Sequence, residues 1–71
     1  MMMEFVYKNS KDENDFIILN LDTIALLKIE CNELIILTGV SGLFYVDVKE
    51  PIKLYNSIKD NLRLTRKIDK L

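Results

Sequence analysis

Two runs of four consecutive residues drawn only from Phe, Ile and Leu dominate this chain: Phe16, Ile17, Ile18 and Leu19, then Leu34, Ile35, Ile36 and Leu37. Each is too short for a helix. A strand alternates its faces, so an unbroken apolar run predicts a strand covered on both sides. In a chain of 71 residues that is a demanding requirement, because so small a domain buries only about 60 % of its unfolded surface.

The usual reinforcements of small domains are scarce. One cysteine, Cys31, allows no intrachain disulfide, and with no histidine the chain lacks the common ligands of a structural zinc site. Oligomerisation is the reinforcement that remains. Apolar residues make up 49 % of the chain and the net charge is only −1, which excludes an intrinsically disordered composition. No apolar run approaches a membrane span, and Met1, Met2, Met3 and Glu4 lack the order of a signal peptide, so a mature cytoplasmic protein with no membrane partner is expected. The wealth of Ile, Asn and Lys points to an AT-rich genome, of a low-GC bacterium or its phage.

Around the two runs the sequence predicts further elements. Residues 4–8, with Phe5, Val6 and Tyr7, read as a strand, and polar residues 9–15 as a connection. Asn20, Leu21, Asp22 and Thr23 interrupt the second strand before residues 24–30, where Leu27 and Ile29 alternate with Lys28 and Glu30. Cys31, Asn32 and Glu33 suit a tight turn, and Gly39 and Gly42 supply positive backbone angles for a hairpin returning through Phe44, Val46 and Val48. Glu50 and Pro51 then signal a helix start, with a stripe of Ile52, Tyr55, Ile58 and Leu62 that ends near Arg63 or continues with a second face.

The expected fold is therefore α+β: one domain over residues 1–71, an antiparallel meander of about five strands followed by one amphipathic helix. Residues 1–3 are expected to be disordered and residues 66–71 to form a tail. One helix covers one face of a sheet, so the second face calls for another copy of the chain, unless the sheet curls into a small barrel. The expected oligomer interface comprises Ile17, Leu19, Ile35, Leu37, Leu64 and Ile68. Phe5 and Phe16 are expected in the core.

Catalytic chemistry finds little support. Without histidine, neither a Ser-His nor a Cys-His pair can form, and Cys31 sits between Glu30 and Glu33 rather than in the electropositive setting of a nucleophilic thiol. Asp12, Glu13 and Asp15 lack the glycine and distal glutamate of a calcium loop, and the glycine pair lacks the lysine of a phosphate loop. No enzyme activity, cofactor or metal is expected. Charge is unevenly spread: in residues 59–71, five cations (Lys59, Arg63, Arg66, Lys67, Lys70) against two anions (Asp60, Asp69) give +3, leaving −4 elsewhere. Cations at a helix C-terminus complement its dipole. They also offer Arg63, Arg66 and Lys67 to a phosphate, as an anionic ligand or nucleotide or a nucleic-acid backbone.

The segments Asn20, Leu21, Asp22, Thr23, Ile24, then Lys28, Ile29, Glu30, then Ile35, Ile36, Leu37, Thr38, Gly39, then Tyr45, Val46, Asp47, Val48, Lys49, Glu50 resemble the small flagellar motility proteins of the FlbD kind. The resemblance spans residues 16–61. The chain departs from it by an added N-terminal strand and loop, and by Gly-Val-Ser-Gly in place of a tight Asn-Gly turn. The same stretch is similar to the first half of LytTR-type DNA-binding domains, without their later basic strands. The reading is a homo-oligomeric adaptor or regulator that binds a partner protein, with an anionic-ligand binder and a nucleic-acid binder as alternatives.

Overall fold

The computed structural model describes residues 1–66. Five antiparallel strands precede one helix: β1 (Met2–Lys8), β2 (Asn14–Asn20), β3 (Ile24–Glu30), β4 (Glu33–Thr38), β5 (Gly42–Val46) and α1 (Pro51–Arg66), with a 3₁₀ turn at Leu21–Thr23. This is the expected α+β architecture. The strands form two sheets, a β1–β2 hairpin and a β3–β4–β5 meander, and do not close into a barrel.

Each turn follows from its residues. The β3–β4 loop is two residues, with Glu30 opposite Glu33, and both Cys31 (φ 53°) and Asn32 (φ 63°) are left-handed. That is the turn whose twist suits a hairpin. The β4–β5 loop is longer, with Thr38 opposite Gly42 and the Ser41 N–H donating to Thr38 Oγ1 at 2.8 Å. Here only Gly42 takes a positive φ, 84°; Gly39 does not, contrary to expectation. Its N–H instead donates to the Thr23 carbonyl at 2.8 Å, tying this loop to the 3₁₀ turn. The 3₁₀ turn is held by the Thr23 hydroxyl, which donates to the Asn20 carbonyl at 2.9 Å.

The core lies between the hairpin, the meander and α1. Phe5 and Leu19 enter it from the hairpin, Leu34, Ile36 and Val46 from the meander, Leu21 and Ile24 from the connection, and Leu54 and Ile58 from the helix. A register shift between Ile24 and Leu26 lets Ile24, Leu27 and Ile29 all meet this core, where strict alternation would turn one set outward.

Several expectations are corrected. Residues 1–3 belong to the fold: β1 starts at Met2, and the Leu21 N–H donates to the Met1 carbonyl at 2.8 Å. On α1 the inward face is Pro51, Leu54, Tyr55, Ile58 and Leu62, so Leu54 replaces the exposed Ile52. Those positions follow the i, i+3, i+4, i+7 pattern more closely than a stripe begun at residue 52. The helix takes the second of its two expected courses and continues past Arg63 to Arg66, while β5 stops at Val46 and Val48 packs on the core from the connection. The largest correction concerns β2, whose inward residues are Ile17 and Leu19 while Phe16 and Ile18 are exposed.

Candidate functional site

The β1–β2 register fixes which side chains share a face. Met3 with Leu19, Phe5 with Ile17 and Tyr7 with Asp15 look inward; Glu4 with Ile18 and Val6 with Phe16 look outward. Leu19 is buried in the core and Ile17 packs against it, so neither is free to meet a second chain. The bare apolar residues of β2 are their neighbours: Phe16 is 57 % exposed and Ile18 54 %, and Val6, directly opposite Phe16, is 70 % exposed. Phe16 is thus a surface residue rather than a core one. With Met2, also exposed, these residues form an apolar face interrupted by one charge, Glu4.

This face runs on into a shallow groove of about 280 Å³ lined by Met2, Ile18, Thr38, Val40 and Phe44. Val40 is the most exposed large apolar residue described, at 82 %. The β4–β5 loop therefore extends the apolar surface beyond the hairpin.

The outer face of the meander differs. Ile35 is only 4 % exposed although it lies outside the core cluster, because Lys28 and Tyr45 stand beside it in register on the flanking strands. Leu37 is half-buried between Leu26 and Leu43 in the same way. Of the expected interface, Ile35 and Leu37 thus lie on an outer face but are largely shielded, Leu64 is exposed on α1, and Ile68 lies outside the described residues.

A second groove, of about 460 Å³, separates the free edge of β1 from the first half of α1. Antiparallel pairing alternates hydrogen-bonded and non-bonded residues. The Leu21 N–H donates to the Met1 carbonyl and the Asn9 N–H to the Glu13 carbonyl, so odd-numbered residues of β1 bond to β2. The main-chain groups of Glu4, Val6 and Lys8 therefore point away from the hairpin. Lys8 uses its carbonyl to accept the Lys49 N–H at 2.8 Å. At the groove's upper end Lys49 Nζ donates to Asp12 at 3.0 Å, a bond that holds the Asp12 carboxyl below the usual carboxylate range, with the charge of Lys49 adding to it. Lys53 donates to Glu50 at 2.9 Å and lowers its carboxyl likewise. Tyr7, half-buried at the groove wall, has its phenol pushed up by burial and further by Asp15 and Asp47.

Of the expected phosphate-binding residues, Arg63 is exposed on α1, Arg66 closes the helix, and Lys67 lies outside the described residues. Cys31 is exposed at the tip of the β3–β4 turn. Among the described residues no group of three His, Cys, Asp or Glu converges to hold a metal, and no helix is long and apolar enough to cross a membrane.

No family model, no curated protein and no solved structure matches this chain.

Proposed function

We propose that this chain is a non-catalytic, homo-oligomeric adaptor or regulator that associates with a second copy of itself through the outer face of the β1–β2 hairpin. The observation that carries the reading is the exposed Val6–Phe16 pair with Ile18 beside it. Contiguous apolar surface of this kind marks an association site in a soluble domain. Its natural complement is another apolar surface, and a two-fold axis supplies one without a second gene product.

Contact by the face is favoured over pairing by the edge. The Phe16 N–H, on the free edge of β2, is taken by the carboxylate of Asp15 at 2.9 Å. A charged residue that satisfies an edge donor blunts strand addition there. The proposed assembly therefore stacks hairpin on hairpin, leaving the rest of the molecule to meet a partner protein.

Light scattering on the purified chain tests this. The expected mass is a multiple of 8.3 kDa at micromolar concentration. The Phe16→Lys variant is expected to be a folded monomer, because its charge lies on a face that contributes little to the monomer's core. A wild-type chain that remains a monomer removes the proposal.

A further inference from the structure

We infer that the groove between β1 and α1 is a docking site for an extended peptide segment of a partner protein, which adds to β1 as a strand. The inference rests on the reading of the chain as a binding module, but not on its self-association.

The chain itself begins this pairing and then abandons it. The Ser10 N–H bonds to the Asp47 side chain at 3.3 Å and the Lys49 N–H to the Lys8 carbonyl at 2.8 Å, so residues 47–49 run antiparallel beside the end of β1. Continued in the same register, the next residue to bond would be Pro51, opposite Val6. Proline has no N–H to give, and here it starts α1 and turns the chain away. The edge groups of Val6 and Glu4 are left without a main-chain partner among the described residues, facing the groove.

The groove's walls specify the occupant. Main-chain donors and acceptors at strand spacing call for an extended backbone, the mode in which hydrogen bonds give affinity and alternate side chains give specificity. On the inner side Phe5, Val48 and Leu54 offer an apolar floor. On the outer side Glu4 and Lys8 each carry a charge with no ion-pair partner among the described residues, whereas Lys49 and Lys53 are already paired. The segment that fits alternates apolar residues with charged ones, an acidic residue to meet Lys8 and a basic one to meet Glu4.

Selection of a short-peptide phage library on the full chain, followed by synthesis of the selected peptide, tests the inference. N-methylation of that peptide is expected to abolish binding at every second residue only, which requires no change to the protein. Ser57→Trp, an exposed helix position lining the groove, is expected to weaken binding on the order of tenfold with an unchanged circular dichroism spectrum. The amide signals of Glu4 and Val6 are expected to shift. Phe16→Lys is expected to bind the peptide as the parent does, so loss of self-association leaves this test intact. Failure to select any peptide, binding indifferent to the methylation pattern or to Ser57→Trp, or shifts confined to Phe16 and Ile18 would each overturn it.

Discussion

The hairpin and the meander carry similar apolar runs, yet one leaves half of its run bare and the other does not. In β4, Leu34 and Ile36 reach the core while Ile35 is shielded by the neighbours on both flanking strands. In β2, Ile17 and Leu19 turn inward but Phe16 and Ile18 have a flanking strand on one side only. A central strand is covered partly by its sheet; a strand in a two-stranded ribbon is not. An apolar run therefore means burial on both faces only when the strand is central, and in a ribbon it leaves one face bare.

Core truncation breaks the comparison most severely. Ile36→Ala, at a fully buried position of the central strand, is expected to cost about 2–5 kcal/mol, enough to unfold much of so small a domain, as read by denaturant titration. Phe16→Ala in the hairpin is expected to change monomer stability by less than about 0.5 kcal/mol, with its effect appearing instead as a weaker concentration dependence of the melting temperature. Equal losses at the two sites would mean that the hairpin face is not the exposed one.

A smaller change sharpens the meander. Cys31 and Asn32 both sit at positive φ, which costs a side-chain-bearing residue such as cysteine about 1–2 kcal/mol relative to glycine. Replacing the pair by Asn-Gly is expected to raise stability by roughly 1 kcal/mol in the same titration without altering self-association. A loss of stability would contradict the assigned turn.

The smallest effect is electrostatic. Asp12 is held below its ordinary value by the hydrogen bond from Lys49, so its contribution is present above the usual carboxylate range and lost as pH falls through the lowered value. Both groups are exposed, and the pair is worth little. Asp12→Asn is expected to flatten the acid limb of a thermal-midpoint profile only slightly. A large effect would mean that the loop of residues 9–13 holds the hairpin in place, and that the apolar core does not.

Much of the fold was legible in the residues. All five strands, the Cys31 turn, the β4–β5 hairpin and the Pro51 helix start follow from alternation, turn chemistry and proline geometry. Other features were not. Leu21 reads as part of a polar turn, yet it is fully buried, because a 3₁₀ turn can aim one side chain into the core. The inward face of α1 was displaced because Ile52 is as apolar as Leu54, and only contact with the sheets separates them. On β2, choosing Ile17 and Leu19 over Phe16 and Ile18 as the free face was a one-residue ambiguity that an unbroken apolar run cannot resolve; the register with β1 resolves it. The groove beside β1 carried one legible signal, a proline placed where a ladder would otherwise continue.

The central claim, that the hairpin's outer face is the associating one, is tested most directly by amide chemical shifts followed through dilution across the concentrations over which light scattering shows the oligomer dissociating. The account predicts that the signals of Val6, Phe16 and Ile18 move together along one binding curve while those of Lys28, Ile35 and Tyr45 stay fixed. Movement centred on the meander, or no movement anywhere in a chain that light scattering finds monomeric throughout, would contradict it.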